Sequence, residues 1–288
     1  MIASEDRVLE EVVDTGLYRL SDPTGAGWRE IVSHARAELW ATGCCVLHDF
    51  VRSSLGGALQ REAAELAPRA YYSVETVNAY NTAADPSLPD GHPAHIETER
   101  GNAFVARDLI PDDHIIHQLY ASSQFQQFIA DCFTRPRLYE LSDPMSGLCL
   151  NVVSPGRGHP WHFDTNEFTV VMVCREAQAG GVFEYCPNIR STGAENFDDV
   201  RAVLTGHGDR YVRRLSLRRG DLQLFRGRYS LHRVTSVEGV SARHSAIFAY
   251  SESPGVIGSV TRTRQLFGRV SPSHLAAGSM VRVDGLLD

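Results

Sequence analysis

The sequence predicts a mainly β protein with N-terminal helices and a double-stranded β-helix core, a jelly roll of the cupin-like kind. Two observations predict this. About eight short apolar or alternating segments fall between Leu148 and Tyr250 with turn residues between them, the spacing of strands in two packed antiparallel sheets. Helical periodicity is confined mostly to the residues before them. With 288 residues, the chain is long enough to bury one full core with helical additions. A single domain over 1–288 is expected: N-terminal helices and a first strand (1–70), a lid and helical segment (71–140), the jelly-roll core (141–252) and a C-terminal segment (253–288).

The first 27 residues are polar, with a turn at Asp22-Pro23-Thr24-Gly25, and read as a lead-in. Trp28, Val32, Ala35 and Leu39 recur at helical spacing up to Gly43. Cys44-Cys45-Val46-Leu47 is a short buried strand, and a second helix covers about 55–67. The segment from Tyr71 to Asp113 carries Asp85-Pro86, Leu88-Pro89-Asp90-Gly91 and His92-Pro93. Its irregularity over such a length predicts a functional loop, and residues 71–110 are expected to form a substrate-binding lid. One helix is predicted over 113–133. Strands follow at 148–153, 168–174 (continuously apolar, hence buried on both faces) and 182–185. A short helix lies near 196–204. Further strands are expected at about 211–217, 221–226, 231–237 and 244–250, with Arg219-Gly220-Asp221 as a hairpin turn.

Composition excludes several classes. The chain is 43% hydrophobic and 22% charged, with a net charge of −7, so a nucleic-acid surface is not expected. The cationic group Arg213, Arg214, Arg218 and Arg219 alternates with Leu215 and Leu217, as a strand with a solvated face does. No apolar run reaches the length of a membrane span. The start, Met-Ile-Ala-Ser-Glu-Asp, lacks the basic region and apolar stretch of a signal peptide. Six cysteines without paired spacing read as small buried side chains, and a cytoplasmic location is expected. A homodimer stays open.

The chemistry concentrates in His159-Pro160-Trp161-His162-Phe163-Asp164. His162 and Asp164 are two apart and share one face of a strand. His232, on a neighbouring strand, would complete a 2-His-1-carboxylate facial triad, a ligand set suited to non-heme Fe(II) with positions left open for substrates. Arg243 and Ser245 also share a face, and a guanidinium with a hydroxyl suits a planar carboxylate.

In these five residues the chain resembles the Fe(II)/2-oxoglutarate-dependent oxygenases, whose pattern is His-x-Asp, a distant His, and Arg-x-Ser about ten residues on. The resemblance covers roughly 145–252. It implies Fe(II) held by His162, Asp164 and His232, 2-oxoglutarate anchored by Arg243 and Ser245, and dioxygen as oxidant. His159 to Asp164, the run Phe225 to Val234 and Phe267-Gly268-Arg269 look like the subgroup of free-amino-acid halogenases and their hydroxylase relatives. That likeness implies His159, and an arginine from the lid for which Arg100 is the candidate, as substrate-carboxylate contacts. Glu140 or Glu97 could meet a substrate amine, and Asn151 could face the co-substrate. In related halogenases a glycine or alanine replaces the metal-binding acid and chloride takes its place. Asp164 therefore implies a hydroxylase rather than a halogenase.

The expected function is hydroxylation of an unactivated C–H of a free amino acid or similar small amine-bearing acid in biosynthesis, with succinate and CO2 as co-products. The alternatives are ring closure or desaturation by the same oxidant, a non-catalytic jelly-roll binding or sensing protein, and a cupin-like metal enzyme without 2-oxoglutarate. The partner is a small molecule, with neither nucleic acid nor membrane.

Overall fold

A computed structural model describes residues 7–83, 85–166, 168–277 and 286. Its helices are α1 (Val8–Val12), α2 (Ala26–Thr42), α3 (Gly56–Leu66), α4 (Ile115–Ala121), α5 (Ser123–Cys132), α6 (Phe197–Leu204), α7 (Val260–Phe267) and α8 (Pro272–Ala276). The strands of three or more residues are β1 (Cys44–Leu47), β2 (Glu75–Asn78), β3 (Glu97–Arg100), β4 (Asn102–Val105), β5 (Leu148–Val153) and β6 (His159–His162), followed by β7 (Thr169–Arg175), β8 (Phe183–Cys186), β9 (Arg213–Leu215), β10 (Leu222–Phe225), β11 (Leu231–Val234) and β12 (Arg243–Phe248). A six-stranded sheet runs β1-β10-β7-β12-β5-β4 and a four-stranded sheet β9-β8-β11-β6. All the pairings are antiparallel, and β2 with β3 forms a separate hairpin.

Side-chain alternation decides what each face of the large sheet does. Cys45, Leu47, Leu148, Leu150, Val170, Met172, Leu222, Leu224, Ala246 and Phe248 all join one apolar cluster with Trp28, Leu59, Phe125 and Phe128 of the helices. The intervening residues face the small sheet. There Cys44 and Phe225 pack with Phe183, Tyr185 and Val234, and the Phe183 and Phe225 rings meet edge-on at 5.2 Å. The sandwich is thus closed by helices on one side and by the small sheet on the other, and the odd-numbered residues of β5 and β12 point between the two sheets.

Helix α2 ends where the sequence predicts. Gly43 takes a left-handed φ of 72° and its N–H caps Leu39, the conformation glycine adopts without a Cβ penalty. A Cβ there would also meet Ser230 Oγ at 2.8 Å.

Four expectations are corrected. The 71–110 segment is not irregular throughout: it contains the β2–β3 hairpin, and β4 joins the large sheet beside β5. The jelly roll therefore draws β1 and β4 from outside 141–252. The helix over 113–133 is two helices, broken at Ser122, whose side chain accepts from Phe125 N–H to cap α5. The turn at 219–221 is not a hairpin, because β9 pairs with β8 in the small sheet whereas β10 enters the large one. Turn residues foretell a reversal but not which sheet receives the chain. Finally, β7 is buried only in part, since its neighbours cover alternate residues unequally.

All six cysteines are free and five are buried. The outer face of the small sheet carries Arg214 and Arg233, which share Glu184 at 2.7 and 2.6 Å, and Arg233 also lies 4.6 Å over the Trp161 ring. Among the described residues no helix is long and apolar enough to cross a membrane.

Candidate metal centre

Strands β6 and β11 are neighbours in the small sheet, and their register sets His162 directly opposite His232. Each imidazole is oriented from behind by a backbone carbonyl: Nδ1 of His162 lies 2.8 Å from Pro160 O, and Nδ1 of His232 lies 3.0 Å from Ser230 O. A carbonyl only accepts, so each Nδ1 carries the proton and each Nε2 keeps its lone pair for a metal.

Asp164 reaches the same point by a different route from the one the sequence predicts. The strand stops at His162, so Asp164 stands beyond it on a loop, its N–H donating to Gly227 O at 3.1 Å. Its Oδ1 is nevertheless 3.6 Å from His162 Nε2 and 3.5 Å from His232 Nε2. Thr169 Oγ donates to the other oxygen, Oδ2, at 2.5 Å. These separations are close to those of donors sharing one ion at bonds of about 2.1 Å. Among the described residues this is the one cluster of three ligand side chains. His114 and His117, one turn apart, do not join it, and His117 Nδ1 lies 3.1 Å from Ile110 O.

The electrostatics suit a cation. Burial, reinforced by His232, pushes His162 down to about 3, so its imidazole is neutral at neutral pH. Burial works to raise the Asp164 carboxyl, but His232, His162 and Thr169 outweigh it and hold the group well below the usual carboxylate range. The cluster therefore sets two imidazole Nε2 atoms around one carboxylate, a donor set that fits a divalent ion.

On β12, Arg243 and Ser245 point between the sheets, and Arg243 Nη1 donates to Ser245 Oγ at 3.0 Å. Arg243 is 5% exposed, and no carboxylate lies within ion-pair distance of it among the described residues. Burial brings it down to about 10. A buried guanidinium without a direct ion-pair partner is costly unless a ligand supplies one, and a carboxylate is the group it fits. Asn151 faces Ser245 across the ladder and accepts from Asn102 Nδ2 at 3.1 Å.

The other expected residues are placed as follows. The His159 ring stacks on His162 with centroids 3.8 Å apart. Burial, with the neighbouring His162, His232, Arg100 and Arg262 adding to it, holds it well below its ordinary value. Arg100, 3% exposed, donates to Gln265 O at 2.9 Å and lies 3.3 Å from Glu75, while its Nε and Nη1 are buried without a partner. Glu140 is engaged by Arg107 at 2.5 Å, beside Tyr120 in the helical layer, and Glu97 is exposed. Neither is therefore offered to a substrate amine.

Sequence reasoning missed four residues around the cluster. Thr169 and Gly227 bound the Asp164 carboxylate, and Asn102 has Nδ2 3.5 Å from His159 Nδ1. Arg262, on α7, feels Arg100 and Asp164 and is brought down to about 10 chiefly by burial. A residue arriving from a C-terminal helix leaves no spacing signal in the motif.

This fold and this cluster define a class. The six- and four-stranded sandwich is the jelly roll of the Fe(II)/2-oxoglutarate-dependent oxygenases, a superfamily that takes Fe(II), 2-oxoglutarate and dioxygen. The profile of a family described as Halogenase D matches residues 28–263, and the chain belongs to that family. Among solved structures, it is similar to a prolyl hydroxylase in complex with a hypoxia inducible factor oxygen degradation domain peptide fragment from Trichoplax adhaerens. That likeness has 16% identity, covers 85% of this chain and 98% of the other, and has a TM-score of 0.51. It is also similar to AviO1 from Streptomyces viridochromogenes Tue57, at 15% identity over 76% of this chain and 94% of that one, with a TM-score of 0.50. No curated protein matches the chain.

Proposed function

We propose that this protein is an Fe(II)- and 2-oxoglutarate-dependent hydroxylase acting on a free amino acid or similar small amine-bearing acid. The observation that carries the reaction type is Asp164 Oδ1 beside both His162 Nε2 and His232 Nε2, at 3.6 and 3.5 Å. A carboxylate in that position fills the place a halide would need, so hydroxylation is favoured over the halogenation in the family's description. When bound, iron with 2-oxoglutarate and dioxygen supplies an oxidant able to attack an unactivated C–H, with succinate and CO2 as co-products. His162, Asp164 and His232 would hold the metal on one face. Arg243 and Ser245 would take the distal carboxylate of 2-oxoglutarate, with Asn151 facing them.

The substrate class rests on different residues. Two nitrogens of Arg100 are buried without a partner, and Arg100 and Arg262 both bear electrostatically on His159. A substrate carboxylate would meet this cationic group, and the site then holds the substrate by that end. The 71–110 segment, with Arg100 at its β2–β3 hairpin, would act as the cover that excludes water.

The test is anaerobic addition of Fe(II) and 2-oxoglutarate, followed by the visible charge-transfer band of the chelate. Oxygen is then admitted with a panel of free amino acids while succinate and product mass are followed. A band, with succinate stimulated by one amino acid and a product heavier by one oxygen, is expected. A chlorinated product in the presence of chloride would overturn the hydroxylase reading, and no band in iron-loaded protein would overturn the 2-oxoglutarate reading.

A further inference from the structure

Phe163 separates two of the three ligand residues, and both of its backbone polar groups are held by one distant segment. Its N–H donates to Ala79 O at 2.8 Å, and its carbonyl accepts from Asn81 Nδ2 at 3.1 Å. The Phe163 side chain, 2% exposed, is fixed on the same side. Tyr80 packs against it at 5.5 Å, and the Arg190 guanidinium lies 3.9 Å from its ring centre.

The segment that makes these bonds is itself a built turn. Asn78, 2% exposed, accepts from Tyr80 N–H at 3.0 Å and from Thr82 N–H at 3.3 Å, and donates to Thr82 O at 3.1 Å. Asn81 has a left-handed φ of 57°, which asparagine adopts more readily than most residues. The turn belongs to the hairpin end of the 71–110 segment, not to the jelly roll.

The consequence for the cluster follows from where β6 stops. His162 is fixed by the β6–β11 ladder, whereas Asp164 lies past the strand end and has no ladder of its own. Its place relative to His162 depends on the two peptide planes around Phe163. Those planes are set by Ala79 O, Asn81 Nδ2 and, through the Asp164 N–H, Gly227 O. We propose that Asn81 is a positioning residue for the metal-ligand loop, and that the 78–82 turn couples the order of the covering segment to metal affinity. The inference rests on the metal reading above. By linkage, if the turn raises the affinity for the metal, the metal stabilises the turn by the same free energy.

Co(II) is the probe, titrated through its visible absorption with the full chain. Asn81→Asp keeps the shape and the tolerance of positive φ but places an acceptor where a donor is needed, and Asn81→Ala removes the group. Both should weaken Co(II) binding about tenfold or more, as loss of an orienting contact does, with circular dichroism and melting little changed. Ser87→Ala, in the same segment but not in the turn, should bind as wild type does. In the wild type, Co(II) should slow amide exchange over 75–82, and the slowing should be lost in Asn81→Asp. Affinity within about threefold of wild type in folded Asn81→Asp, or exchange over 75–82 indifferent to metal, would overturn the coupling. Failure of the wild type itself to bind Co(II) through His162 and His232 would instead remove the metal reading, and this inference with it.

Discussion

Gly227 shows how closely the Asp164 carboxylate is fitted. A Cβ at this position would stand 1.8 Å from Asp164 Oδ2 and 2.6 Å from its carboxyl carbon, so the carboxylate occupies the space a larger residue would need. Gly227→Ala should drive Asp164 out of the cluster and weaken metal binding by about tenfold or more, the range for residues that orient a ligand. The overlap also predicts non-additivity. Asp164→Gly combined with Gly227→Ala should be more stable than Gly227→Ala alone, because the clash is gone, and a melting comparison of the two checks it. Arg243 makes a separable prediction. Arg243→Ala should raise the 2-oxoglutarate requirement by about tenfold or more, from loss of a charge-assisted pair, while Co(II) affinity stays near wild type. Arg243→Lys should recover little, since an ammonium lacks the planar fork. Unchanged co-substrate dependence in Arg243→Ala would remove its anchoring role.

Among the elements, the break between α4 and α5 depends on one side chain. Ser122, 3% exposed, accepts from Phe125 N–H at 3.2 Å, and Phe125 and Phe128 of that first turn and the next lie in the helical layer against the large sheet. Ser122→Ala should cost about 1 kcal/mol, seen as a lower urea midpoint with an unchanged slope. The break illustrates what the sequence conceals. Its apolar residues at 116, 119, 125, 128 and 129 suit one helix or two, and a serine cap inside a periodic run is easily read through. Most strands of the large sheet were legible as short apolar runs bounded by turn residues. Strand β4 was not, because four residues between Gly101 and Ala106 carry no alternation long enough to separate from loop. Around the metal cluster, spacing could set Arg243 and Ser245 on one strand face, since a strand fixes direction every second residue, whereas His162 and His232 were joined by the family pattern the chain resembles. Thr169, Gly227, Asn81 and Arg262 could not be placed either way, because they meet Asp164, Phe163 or Arg100 only through the closure of the fold.

The fold's dependence on pH follows from the same alternation. Arg243 and Ser245 face the interior between the sheets, so His244 turns towards the helical layer, where it is 2% exposed and its Nδ1 is buried without a partner. Burial, with Arg175 and Arg243 adding to it, brings this imidazole down to about 4 from an ordinary 6.5. The unfolded chain therefore binds a proton between those values that the folded chain refuses, and stability falls as pH falls through that window. The contribution is whole above about pH 7 and fully lost below about pH 4, with roughly 2 kcal/mol gone at pH 5. For a chain of this size that is on the order of 4 °C in melting temperature. Other groups titrate in the same range, so the difference between proteins isolates the cause. His244→Gln, neutral throughout, should lose about 4 °C less than the wild type between pH 7.5 and pH 5. Parallel melting curves for the two proteins across that interval would show that His244 is not the group whose protonation opens the fold.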